Sequence, residues 1–261
     1  MSALAVQVSH RSCLGSRSRN EDRLAVEQLG SHWCLVLSDG AGGHSDGALA
    51  SRLAVERVLG GFRSRPPADP SDLGELLLDA HDAVVAAQRE LRERKPSAGM
   101  YATVVALIID TAAGRALWGH VGDSRLYHWR RGTLAGVTRD DSVLQAMIES
   151  GAVDPAHLPP HAHGGVLLAA LGSGDEIHPH VAPPLQLIAG DSFLLCSDGW
   201  WHGLEPAGID AALAQAATPQ AWLDAMLDAT AARADPRQDN YSAIACWIRD
   251  GTAAGGSTGS A

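Results

Sequence analysis

Four aspartates stand where an apolar run meets polar residues. Asp39 closes Leu35-Val36-Leu37-Ser38 and is followed by Gly40-Ala41-Gly42-Gly43-His44. Asp123 follows the run Arg115 to Val121, within Gly122-Asp123-Ser124-Arg125. Asp198 follows Asp191 to Cys196, in Ser197-Asp198-Gly199, an echo of Ser38-Asp39-Gly40. Asp239 and Asn240 directly precede the run Tyr241 to Ile248. Short apolar runs bounded by glycine or polar turns read as buried strands, which puts each carboxylate at a strand end. Several strand ends of a layered sheet can converge on one edge. Carboxylates gathered there repel one another unless cations lie between them. Oxygen-only ligands favour hard ions such as Mg²⁺ or Mn²⁺. Two such ions about 4 Å apart can share a water, lower its pKa and direct it at phosphorus. A single Asp-Gly is more often a plain turn; the recurrence carries the metal reading.

A second stretch supplies charge of the other sign. Gly15-Ser16-Arg17-Ser18-Arg19-Asn20-Glu21-Asp22-Arg23 mixes three arginines with two adjacent carboxylates. It is either a solvated loop or a place where an arginine fork holds phosphate while the acids face metal-bound water.

The elements that must position these residues follow from hydrophobic pattern. Strands are expected around Val6 and Val8, over Leu24 to Val26, Trp33 to Leu37, Tyr101 to Ile109, Arg115 to Val121, Leu185 to Ile188, Asp191 to Cys196 and Tyr241 to Ile248. Leu126 to Trp129 and Thr133 to Val137, joined at Arg131-Gly132, read as a hairpin. One helix is expected from Gly47, stopped by Gly60-Gly61. A longer one runs from Ser71 as N-cap to Arg94. Thr138 to Ser142 opens a short helix to about Ser150, and a later helix starts with Thr218 as N-cap and Pro219 at its first position. The segment from about 139 to 175 reads as a flap over the site or a surface loop. Its histidines His157, His161 and His163 lack a zinc-ligand spacing.

Composition limits the alternatives. The chain has 261 residues, 46% hydrophobic, enough for one core. The expected organisation is one domain over residues 1–250 and a Gly/Ser/Thr/Ala-rich disordered tail over 251–261. No apolar run is long enough for a membrane span, and the N-terminus lacks the pattern of a signal peptide. A net charge of −10 argues against nucleic acid as a partner. Cys13, Cys34, Cys196 and Cys246 are widely spaced and read as free thiols of a cytoplasmic protein.

Six motifs together resemble the metal-dependent serine/threonine phosphatases of the PPM (PP2C-like) family, in a compact bacterial form. They are Arg17-x-x-Asn20-Glu21-Asp22, Asp39-Gly40-x-Gly42-Gly43-His44, Gly122-Asp123-Ser124-Arg125, Thr138-x-Asp140-x-Ser142, Ser197-Asp198-Gly199 and Asp239-Asn240, in the family's order. The resemblance runs from about Val6 to Ile248. It implies an α+β fold, a four-layer αββα sandwich of two antiparallel sheets flanked by helices. It implies two core Mn²⁺ or Mg²⁺ ions, with Asp39 bridging both, Asp198 and Asp239 completing the first site, and the Gly40 carbonyl with Glu21 and Asp22 serving the second. Asp123, with Asp198, matches a possible third-ion site, and Arg17 matches the phosphate-binding arginine. The implied reaction is one-step hydrolysis of phosphoserine and phosphothreonine in proteins, by a monomer opposing a bacterial Ser/Thr kinase. Some such pairs control protein secretion.

Two positions depart from the family pattern. A histidine proposed as general acid in animal members is Ala41 here, and the flap's Asp-His-Ser reads Asp140-Asp141-Ser142. The rival readings are a catalytically silent partner-binding module, which a lost metal aspartate would favour, and a phosphatase of small-molecule phosphoesters.

Overall fold

The computed structural model describes residues 4–41, 46–97, 99–154, 157, 166–174, 176–204, 206–233 and 235–251. The motif residues Gly42, Gly43 and His44, the histidines His161 and His163, and the expected tail from 252 onward lie outside the described residues.

Two antiparallel sheets face each other. The first runs β1 (Leu4–Cys13), β13 (Tyr241–Asp250), β12 (Asp191–Cys196), β8 (Arg125–Arg130), β9 (Thr133–Val137). The second runs β10 (His180–Val181), β7 (Arg115–Val121), β6 (Val104–Asp110), β3 (His32–Ser38), β2 (Arg23–Leu29), with β11 (Leu185–Gln186) also on β7. A small ribbon pairs β4 (Gly40–Ala41) with β5 (Tyr101–Ala102). Helices α1 (Asp46–Ser64) and α2 (Pro70–Arg94) cover the second sheet; α3 (Val143–Glu149) and α4 (Asp198–Trp201) are short; α5 (Pro206–Gln215) and α6 (Pro219–Ala232) cover the first.

Side-chain alternation builds the layers. In β3, Leu35 and Leu37 point between the sheets, against Phe193, Leu195 and Ile244. Cys34 and Val36 point the other way, against Val58, Phe62 and Leu77 of the helices. The first sheet's outer face packs Trp129, Leu194 and Trp247 on Trp222, Leu223 and Met226. Strands buried on both faces therefore appear in the sequence as unbroken apolar runs. Cys34, Cys196 and Cys246 are buried free thiols, and Cys13 is a partly exposed one.

Register brings the site to one end. Arg23 pairs with Ser38, Val104 with Val121, and Cys196 with both Arg125 and Ala243. The ends of β3, β7 and β12 thus lie beside the starts of β2, β6, β8 and β13.

Three expectations need correction. α1 runs through Gly60-Gly61 to Ser64. A Cβ on Gly61 would stand 2.3 Å from Leu76 Cδ1, so this glycine serves close packing of α1 on α2 and does not stop the helix. The N-cap of α2 is Asp69, which accepts the Asp72 N–H, with Pro70 opening the first turn instead of Ser71 capping it. The expected strand Tyr101 to Ile109 is split at Thr103, because Thr103 is tied to Asp39 and not to a strand partner.

Candidate metal centre

Asp39 is held by its backbone. Its N–H donates to Thr103 Oγ1 at 3.0 Å, and its carbonyl accepts the Thr103 N–H at 2.8 Å. Thr103 Oγ1 in turn meets Ser124 Oγ at 2.6 Å, which joins the Asp39 turn to the Asp123 turn. Gly122 takes φ +97°, and a Cβ there would stand 2.6 Å from Thr103 Cγ2, so only glycine fits. Gly40, the residue after Asp39, packs as tightly: a Cβ would meet the Gly47 carbonyl at 2.3 Å, while its N–H donates to the Glu21 carbonyl at 3.2 Å.

Asn240 organises the arginine-rich loop. Its Oδ1 accepts the Glu21 N–H at 2.9 Å, and its Nδ2 donates to the carbonyls of Leu14 at 2.8 Å and Arg19 at 3.0 Å. Asp22 is buried, with Oδ2 accepting Ser197 Oγ–H at 2.8 Å, a bond that ties the two sheets together beside Asp198. Glu21 is placed through its backbone: its carbonyl also accepts the Ser51 hydroxyl at 2.5 Å.

The predicted acids form one electrostatic group. Burial, then the charges of Asp22 and Asp198, push the Asp39 carboxyl well above the usual range. Burial, then Asp198 and Asp140, raise Asp123 to about 7. Burial also raises Asp22 to about 6, against hydrogen bonds from Ser242 and Ser197 that lower it. Asp198 is raised by burial and by Asp239, with His202 acting in the opposite sense. Glu21 is raised by burial, opposed by Arg19 and Arg17. Each carboxylate is thus charged at a cost that a cation among them would relieve.

The donor set fits a hard cation by a second observation. Among the described residues, Asp22 Oδ1 and Asp198 Oδ1 are buried acceptors with no hydrogen-bond partner, a rare condition for carboxylate oxygens. Among the described residues no three His, Cys, Asp or Glu side chains converge on one ion-sized point. Asp239 is turned elsewhere: its Oδ2 receives Arg17 Nη2 at 2.6 Å and its Oδ1 accepts the Asn240 N–H at 2.7 Å. Arg17, 58% exposed, therefore sits at the rim on a predicted metal ligand.

Asp141, which stands in place of the flap histidine, accepts the Gly122 N–H at 2.9 Å and meets His180 Nε2 at 2.8 Å. Asp140 forms a two-pronged pair with Arg125, Nε and Nη2 each 2.8 Å away, and the Arg125 guanidinium lies 3.4 Å from the Trp201 ring centre. Thr103 and Ser242 are not legible as site residues, and Ser197 is legible only as part of the Ser-Asp-Gly echo. The only sequence signal was a small polar residue set within or beside an apolar run.

Acids at the end of an αββα sandwich, charged at a cost and bearing oxygens that find no partner among the described residues, make a site suited to divalent cations. A family model described as protein phosphatase 2C matches residues 10–151. The chain belongs to the protein phosphatase 2C family. It is 33% identical over 184 residues to the serine/threonine protein phosphatase PstP of Mycobacterium tuberculosis, a match covering 70% of this chain and 34% of PstP. The chain thus spans about a third of that relative's length. It is 28% identical over 196 residues to the serine/threonine phosphatase stp of Listeria welshimeri, covering 70% of this chain and 73% of stp. The crystal structure of the PstP catalytic domain in complex with two manganese ions superposes with a TM-score of 0.78 at 29% identity, over 95% of this chain and 100% of that one.

Proposed function

We propose that this chain is a Mn²⁺- or Mg²⁺-dependent phosphatase that hydrolyses phosphoserine and phosphothreonine in proteins. The observation that carries the reading is the acid cluster at the shared strand ends, with Asp39 at its centre and, among the described residues, the buried Asp22 Oδ1 and Asp198 Oδ1 lacking partners. The naming of its relatives as serine/threonine phosphatases, and the two manganese ions in the PstP structure, support it.

In this reading Asp39, Asp198, Asp239, the Gly40 carbonyl, Glu21 and Asp22 hold two ions, and Asp123 with Asp198 offers a third position. When bound, the ions supply the positive charge that acidifies water and offsets the phosphate's own charge. The chain's residues orient and bind. The Asn240 clamp and the Thr103 clamp fix the loops that carry Glu21 and Asp39. Arg17, exposed and paired with Asp239, presents a guanidinium fork of the kind that can bind two phosphate oxygens. Position 41 offers no proton donor, so proton delivery to the leaving group falls to solvent or another group. The substrates are then phosphoproteins made by a partner Ser/Thr kinase. We place the enzyme as a monomer in the cytoplasm, where Cys34, Cys196 and Cys246 stay reduced. No helix among the described residues is long and apolar enough to cross a membrane.

The test is hydrolysis of a phosphothreonine peptide and an aryl phosphate by purified protein in EDTA, then with Mn²⁺, Mg²⁺ or Zn²⁺ restored. Turnover regained with Mn²⁺ or Mg²⁺ is the expected result. Folded protein that is silent in every condition rejects the enzyme reading in favour of a partner-binding module.

A further inference from the structure

Asp141 differs in kind from the residue that the family pattern places there, and the structure gives its carboxylate two partners. Its Oδ2 accepts the Gly122 N–H at 2.9 Å, and its own N–H donates to the Gly122 carbonyl at 3.0 Å. Gly122 is thus held at both its N–H and its carbonyl, one residue before Asp123. The other oxygen, Oδ1, lies 2.8 Å from His180 Nε2 on the edge strand β10. His180 stacks on His120, ring centres 5.2 Å apart, and His120 Nε2 meets the Arg139 carbonyl at 2.7 Å, so that imidazole donates to the backbone two residues before Asp141. The Asp141 carbonyl accepts the Leu168 N–H at 2.8 Å, and Ser142 bridges to Leu167. One residue therefore joins the Asp123 turn, residues 167–168 and the sheet edge.

We propose that Asp141 is a positioning residue for the Asp123 turn, with His180 fixing the orientation of its carboxylate. The Asp141–His180 pair supplies an imidazole from β10 where the family pattern carries one in the flap itself. The carboxylate is mostly buried, with its side chain 13% exposed, so its bond to Gly122 is protected from competing water. Its consequence for turnover rests on the phosphatase reading; its consequence for the turn does not.

The experiment measures amide hydrogen exchange in metal-free protein for Asp141→Ala, Asp141→Asn and His180→Ala, alongside turnover of an aryl phosphate in excess Mn²⁺. Asp141→Ala is expected to speed exchange at residues 122–124, 141–142 and 167–168 by about tenfold or more, the effect of losing a charge-assisted hydrogen bond, with the rest of the chain unchanged. Asp141→Asn keeps an oxygen for the Gly122 N–H and stays within about threefold of the parent. His180→Ala falls between the two. In turnover, Asp141→Ala lowers kcat more than it raises KM, and Asp141→Asn restores it. Unchanged exchange at the turn in Asp141→Ala, a rise spread over the whole chain, or Asn behaving as Ala would each overturn the proposal. The local exchange pattern, found in a protein with no turnover even in the parent, upholds the positioning role and rejects the phosphatase reading.

Discussion

Replacing Asn240 by alanine tests whether the arginine-rich loop is built from the start of β13. The side chain is buried, 5% exposed, and makes three bonds to backbone groups of that loop: Glu21 N–H, Leu14 C=O and Arg19 C=O. Each such bond contributes roughly 1 kcal/mol net, and an orphaned buried group costs about 1–3 kcal/mol. Leu14 and Arg19 are exposed, so water reaches their carbonyls once the amide is gone. Asn240→Ala should therefore cost about 2–3 kcal/mol, read as a lower midpoint in urea with an unchanged slope. The loop carries Arg17 and Glu21, and misplacing such groups by about 1 Å costs roughly 100-fold in turnover, so kcat/KM should fall by that order. Asn240→Asp is the control. It keeps an acceptor for Glu21 N–H but sets an anionic oxygen against two carbonyls and adds charge beside Asp239, so it should destabilise at least as much. A loss under about 0.5 kcal/mol for Asn240→Ala, with normal turnover, would refute the clamp.

Three further outcomes follow from the same geometry. Arg17→Ala should raise KM for phosphopeptide more than it lowers kcat, since the guanidinium binds at the rim; an unchanged KM counts against that role. Gly122→Ala should destabilise by about 2 kcal/mol or more, because φ +97° is strained for alanine and its Cβ would meet Thr103; thermal melting measures this. Metal-free protein should lose stability as pH rises. The folded carboxyls of Asp22 and Asp123, at about 6 and about 7 against an ordinary 3.8, keep protons that the unfolded chain has released. The stability linked to those protons is fully present below 3.8 and lost as pH climbs through 6 and 7, at up to about 1.4 kcal/mol per pH unit per group. Saturating Mn²⁺ should flatten or reverse that slope in denaturation curves taken from pH 4 to 8.

The strands were readable because burial on both faces leaves continuous apolar runs: β7 and β12 have the bounds that their residues predict. The helix ends were less so. Gly60-Gly61 looked like a stop because local sequence does not reveal that α2 lies against Gly61. The four aspartates stand out by their place at the ends of such runs, Asp39, Asp123 and Asp198 after one and Asp239 before one, since strand ends are where a sheet can present charge without burying it fully. What holds the acids was not. Thr103 reads as one more β-branched strand residue, and its bonds to Asp39 and Ser124 join residues far apart in the chain. Asp141 read only as a departure from a pattern, because its partners Gly122 and His180 lie on other elements.

The most direct test of the central claim is a Mn²⁺ titration by calorimetry on metal-stripped protein and on Asp39→Asn, with phosphothreonine-peptide turnover followed at the same concentrations. The expected result is at least two ions per parent chain, turnover that rises with their binding, and Asp39→Asn that folds normally yet loses both tight binding and turnover. Full turnover in Asp39→Asn, or turnover in the parent with no ion bound, would contradict it.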